Sequence, residues 1–384
     1  MTSLICPLLL ALLIADGAFG ERCIMYLTGQ HNVVPDVSLV ADVTHVALAF
    51  MHSSTFNSHN VSEWPLFTTV EDGFSEAAAT EETRGLFARN VKRMLDETGA
   101  DGVDIDWEYP GGNGEDYKQI PNSEKAWEIE SYPKLLTEIR TALGAEKLIS
   151  AAVPGLPRDM LAFTQGTIPS IAASLDFFNI MTYDLMNRRD TVTKHHTGIR
   201  LSLEAIDAYV ANGVPPEKAN LGFAFYVKWF RTDPDGYCSK DHVLGCRTVL
   251  MEDPNTGADL GQAGAFSWHD RVPAELGASF DRALKQGEYD TGGGGYYFWD
   301  GEENIFWSFD TPEAIRRKFP EIVAPRGLGG VFAWGLGEDA PDFGHLKALT
   351  SGFRGVIRQD GLGNGEVSGE TESDVHERWR EEGL

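Results

Sequence analysis

Apolar residues along this chain follow two alternating rhythms. Short runs rich in β-branched and aromatic side chains predict strands at Cys23–Thr28, His45–Phe50, Gly102–Asp106, Leu148–Val153, Phe177–Thr182, Leu221–Phe225 and Gly330–Trp334. Between them, apolar positions recur every three or four residues, which lines one face of a helix. Leu86, Phe87, Val91, Met94 and Leu95 mark Thr83–Thr98, and Ile129, Tyr132, Leu135, Leu136 and Ile139 mark Trp127–Leu143. Further helices are predicted at Leu201–Asn212, Thr311–Phe319 and Gly344–Ser351. Strand–helix alternation builds a parallel sheet. Its repetition, with no dinucleotide-type glycine fingerprint after an early strand, predicts an α/β fold of the (β/α)8 TIM-barrel type.

Three stretches break the rhythm. Residues 230–309 are rich in Gly and aromatics, among them Phe266, Trp268, Tyr296, Tyr297, Phe298, Trp299, Phe306 and Trp307. They predict a small α+β insertion domain, which leaves 21–229 and 310–353 as the barrel. Residues 354–384 are polar, with eight acids against three bases from Gly355 to Leu384, and predict a disordered tail. The third break is a count that does not close. Seven good strands are found, and the segment Met51–Ala79 offers only Leu66–Val70 as an apolar run, so the third barrel strand is missing.

Residues 1–20 hold the apolar run Ile5–Ala15 and end in Ala18-Phe19-Gly20. That pattern predicts a secretory signal peptide and an extracellular protein, and a run of 11 residues is too short to span a bilayer. A formal net charge of −26 argues against nucleic acid as a partner, since phosphate binding needs clustered Lys and Arg. No other segment approaches membrane length. In an oxidising compartment Cys238 and Cys246 could close a short loop and leave Cys23 unpaired. His195-His196 resembles a metal pair, but no acid stands at ligand spacing, and no metal or organic cofactor is expected.

Chemistry concentrates in Asp101-Gly102-Val103-Asp104-Ile105-Asp106-Trp107-Glu108-Tyr109-Pro110. Asp104, Asp106 and Glu108 are two apart, so a strand projects all three from one face, with Val103, Ile105 and Trp107 on the other. Crowding like charges is unfavourable and forces at least one pKa upward. A carboxylic acid held protonated near neutral pH is what a general acid needs, so the run predicts acid catalysis on a neutral, oxygen-linked substrate. From the residues alone Glu108 is the acid and Asp106 a covalent partner. Asp101, off this ladder, is expected to be structural.

The spacing D-x-x-D-x-D-x-E over Asp101–Glu108 resembles the signature of glycoside hydrolase family 18, the chitinases, with the secreted fungal type as the subgroup named. Met181-Thr182-Tyr183-Asp184 is similar to the family's M-x-Y-D, and Gly329–Trp334 to its last strand, whose tryptophan floors the sugar site. The resemblance implies a retaining, substrate-assisted hydrolysis of β-1,4-N-acetylglucosamine linkages in chitin or chitooligosaccharides by a monomer. It implies Glu108 as acid, Asp106 as partner of the sugar's acetamido N–H, Asp104 sharing a proton with Asp106, and Tyr183 donating to the acetamido oxygen. Asp184, Trp334, Met181, Tyr109, Tyr26 and Tyr226 would contact substrate.

Family members also carry a third strand ending in S-x-G-G. Here the chain passes from Val70-Glu71-Asp72 into Gly73-Phe74-Ser75-Glu76, with no such motif. Three outcomes follow: a chain derived from an incorrect gene model or splice form, Leu66–Val70 drawn in as a replacement strand, or an inactive product. A glycan-binding lectin is the rival function, and loss of the motif's Ser would remove a hydrogen bond to Asp104.

Overall fold

A computed structural model describes residues 22–31, 33–68 and 73–361, with side chains as far as 357. The predicted signal peptide, residues 69–70 of the candidate replacement strand with 71–72 after them, and the tail beyond 361 lie outside the described residues. Twelve strands are present among these: β1 (Arg22–Thr28), β2 (His45–Ala49), β3 (Gly102–Asp106), β4 (Leu148–Pro154), β5 (Phe177–Met181), β6 (Ala219–Ala224), β7 (Tyr226–Arg231), β8 (Ala263–Ser267), β9 (Glu288–Asp290), β10 (Gly295–Asp300), β11 (Ile305–Phe309) and β12 (Gly330–Trp334).

Seven of these form one parallel sheet in the order β2-β1-β12-β6-β5-β4-β3. It curls into a barrel in which, among the described residues, no strand stands between β2 and β3. The seven are the predicted strands with ends shifted by at most two residues. Their side chains alternate between two cores, as period 2 requires. Ile24, Tyr26, Phe177, Met181 and Phe332 pack inside the barrel. Cys23, Met25, Ile105, Ile149, Val153 and Leu221 face outward against the helices. Helix Glu81–Thr98 starts with a capping box between Thr80 and Thr83 and ends at Gly99, which takes φ 76°. Inside the barrel a Cβ on Gly222 would stand 2.8 Å from both the Phe332 ring and the Ile180 carbonyl oxygen, so only glycine fits there.

Tyr226 lies just past the predicted strand Leu221–Phe225. The chain turns at Phe225, and Tyr226 opens β7 in a second sheet, ordered β8-β7-β11-β10-β9, all antiparallel and backed by helix Gly277–Gln286. Trp268 and Trp307 pack with Phe280 in this unit, and Cys238 and Cys246 are joined within it. The last helix corrects the predicted tail. It runs Gly344–Gly361, ten residues past Ser351, because Phe353 and Val356 continue the buried stripe of Leu346 and Leu349.

Between β2 and β3 no strand stands among the described residues. Leu66–Thr68 does not replace it: Phe67 adopts φ 62°, and the Thr68 N–H donates to the Phe50 carbonyl beyond the end of β2, not to β3. Val46 and Leu48 on the outer face of β2 are left about half exposed. No helix among the described residues is long and apolar enough to cross a membrane.

Candidate active site

The barrel's C-terminal end opens into a cleft of about 1970 Å³. Asp104 and Asp106 project from β3 into its floor, and Glu108 follows at the rim. Trp107, on the opposite side of the strand, stacks on Phe74 in the outer core at 5.7 Å. The period-2 reading of this run therefore holds in three dimensions.

Asp104 is the best held of the three acids. It accepts from Tyr26 Oη at 2.7 Å, Ser150 Oγ at 2.6 Å and Asn179 Nδ2 at 3.3 Å. Asn179 also donates to Tyr26 Oη at 2.9 Å and accepts from Asn220 at 2.9 Å, and Asn220 accepts from Arg22 at 3.1 Å. This chain of hydrogen bonds holds Asp104 although the sequence carries no S-x-G-G motif. Burial still pushes the Asp104 carboxyl up, against the pull of its three donors.

Asp106 has no such help, and its Oδ1 is buried without a partner. Burial raises its pKa well above the usual carboxylate range, and Glu108 and Asp104 add like charge. The cleft walls raise Glu108 as well. Tyr109 opposes this by donating a hydrogen bond, while Asp184 and Asp159 reinforce it. The Glu108 side chain itself reaches the exposed mouth of the cleft. Three coupled acids in one cleft can store and release protons as a unit.

Asp184, at φ 53° in the loop after β5, meets Tyr226 Oη at 2.7 Å and Lys228 Nζ at 2.9 Å, both on β7. Burial favours its neutral form, but Lys228, His196 and the Tyr226 hydrogen bond outweigh that and hold its carboxyl low. Tyr183 lies edge-on to Tyr226 and Phe332. Trp334 closes the floor, stacked on Phe50 at 5.6 Å and packed against Tyr26. Met181 and Tyr109 line the same cleft.

All ten residues singled out from the sequence thus meet in one place. Ser150, Asn179, Asn220, Lys228 and His196 were missed. The first three are polar residues on inward positions of otherwise apolar strands, a signal that could have been read. Lys228 and His196 come from separate loops and strands and carry no local signal. His195 and His196 do not act together: His195 bonds Asp290 at 3.0 Å, while His196 faces Asp184. No cluster of three potential metal ligands occurs among the described residues.

Acids clustered at the strand ends of a barrel, above the Trp334 ring, form a site with the means to protonate a neutral leaving oxygen and to stack on a flat ring. The profile of Glycosyl hydrolases family 18 matches residues 67–339, and the chain belongs to that family. It is 27% identical over 282 residues to endochitinase 1 of Metarhizium anisopliae, a match covering 71% of this chain and only 59% of that relative. Among solved structures it resembles a chitinase from Rhizomucor miehei, with TM-score 0.68 at 20% identity, covering 87% of this chain and all of the other. It also resembles a chitinase-like agglutinin from Robinia pseudoacacia, with TM-score 0.62 at 19% identity, covering 86% and 99%. At such identities these structures share the fold.

Proposed function

We propose that the protein hydrolyses β-1,4-N-acetylglucosamine linkages in chitin and chitooligosaccharides, with retention at the anomeric carbon. The observation that carries this is the coupled set Asp104, Asp106 and Glu108 above the Trp334 floor. Glu108 gives its proton to the glycosidic oxygen as the C1–O bond breaks. The sugar's own acetamido oxygen closes on C1, forming an oxazolinium ion, and Asp106 accepts from the acetamido N–H and offsets the positive charge. Tyr183 donates to the acetamido oxygen, and Asp104 buffers the proton of Asp106. Water then attacks C1, opens the ring and returns a proton to Glu108. Asp184, Met181, Tyr109, Tyr26 and Tyr226 shape the sugar site. Secretion through residues 1–20, action as a monomer, and independence of metal and cofactor belong to the same reading.

A second reading, a glycan-binding lectin, is favoured by the open barrel wall and by the agglutinin that shares the fold. Hydrolysis of N-acetylchitooligosaccharides by wild type and Glu108→Gln separates the two. For the enzyme, the substitution lowers kcat about 10²–10⁴-fold and keeps binding. Binding without turnover in either protein would support the lectin.

A further inference from the structure

Glu128 is a buried acid that the proposed chemistry does not use. It is 1% exposed, and among the described residues no Lys, Arg or His pairs with it. Burying an uncompensated carboxylate is unfavourable. Its place as the first residue of helix Glu128–Leu143 offsets only part of that, through the helix dipole. Two hydrogen bonds account for its orientation. Oε2 accepts from the Gly111 N–H at 2.9 Å, and Oε1 accepts from Ser75 Oγ at 2.5 Å.

Gly111 lies three residues after Glu108, at φ 95°, and the Gly112 N–H donates to the Tyr109 carbonyl at 3.1 Å to close the turn. A Cβ on Gly111 would stand 2.7 Å from the Ile129 side chain, so the turn is pressed against the start of the helix. Ser75 and Phe74 begin helix Phe74–Ala79, and Phe74 stacks on Trp107 with a 16° interplanar angle. Trp107 before Glu108 and Gly111 after it are therefore both fixed, the first by helix Phe74–Ala79 and the second by the helix that follows β3.

We infer that Glu128, supported by Ser75, is a positioning residue that holds the turn following Glu108 against the helix between β3 and β4. The inference rests on Glu108 being the proton donor. The experiment compares full-length wild type, Glu128→Ala, Glu128→Gln and Ser75→Ala, measuring kcat and KM on a chitooligosaccharide and deuterium uptake of peptides spanning 107–115 and β4. Glu128→Ala is expected to lower kcat about 10–100-fold with KM within about twofold, and to raise uptake in 107–115 while β4 is unchanged. Glu128→Gln, whose amide oxygen still accepts from Gly111, recovers most of kcat, and Ser75→Ala falls between. Unchanged kcat and uptake in Glu128→Ala would overturn the inference, as would faster uptake spread equally to β4. A wild type without turnover refutes the enzymatic reading instead, and the uptake arm still decides whether Glu128 holds the turn.

Discussion

Asp104 and Glu338 are both buried acids beside the cleft, and their partners set them apart. Asp104 collects three donors, whereas Glu338 has the Trp334 indole as donor and Asp270 as a like-charged neighbour. Burial first, and Asp270 second, push Glu338 up to about 8. The sign of the consequence follows from proton linkage. Below about pH 4 the group is protonated whether folded or unfolded, so it adds nothing. As pH rises towards 8 the unfolded chain ionises freely and the folded chain resists, so stability is progressively lost, in full above 8. Glu338→Gln removes this penalty and keeps an acceptor for Trp334. The variant should melt roughly 2–4 °C above wild type at pH 8.5 and no higher at pH 4, measured by calorimetry. An equal shift at both pH values would show that packing, not ionisation, is responsible. None of this was legible in the sequence. The ladder of Asp104, Asp106 and Glu108 was, because period 2 is a local property. The partners of each acid come from strands far apart along the chain, as Tyr26 and Asn179 do for Asp104.

Elements were read well where one periodicity ruled. Strands β4, β5 and β6 are buried on both faces, so they appear as continuous apolar runs between turns. Helix Glu81–Thr98 announced itself by its apolar stripe, while its first two residues and the Thr80 cap went unread. Helices Phe74–Ala79, Ile168–Ser174 and Gly277–Gln286 were not predicted. The first two are too short for a periodic signal, and the third lies in a glycine-rich stretch whose packing partners are aromatics of β8 and β11. At this scale the consequence of the open wall is explicit. β2 pairs with β1 on one side, β3 pairs with β4 on one side, and each leaves a row of backbone groups without a ladder partner among the described residues. Native-state hydrogen exchange should therefore find amides of β2 and β3 opening at lower free energy than those of β12, which is paired on both sides. Equal protection in β2, β3 and β12 would mean that something closes the gap in solution.

Across the whole molecule, strand number, tilt and shear of a barrel are linked, so one missing strand is not a local matter. The inner cleft continues through the gap to Val46, Leu48, Val91 and Met94, and this joins the floor that carries Asp104 and Asp106 to an apolar slot. Apolar surface left in water forgoes about 25 cal/mol per Å², and unpaired strand edges invite association. Without that strand Ser150, Tyr26 and Asn179 still hold Asp104 and Phe74 supports Trp107, while Asp106 Oδ1 is left without a partner among the described residues. Stability and solubility should thus suffer more than the arrangement of the acids. Inserting a segment of about 20 residues between Asp72 and Gly73, carrying a strand that ends in Ser-x-Gly-Gly, tests this directly. The extended chain should melt at a higher temperature and bind less of a fluorescent apolar dye. If hydrolysis is the function, kcat should rise less than stability does. An insertion that leaves melting temperature and dye binding unchanged would show that the seven-stranded wall is complete as it stands. A large gain in kcat with no gain in stability would show that the acids, not the wall, were what the missing strand supported.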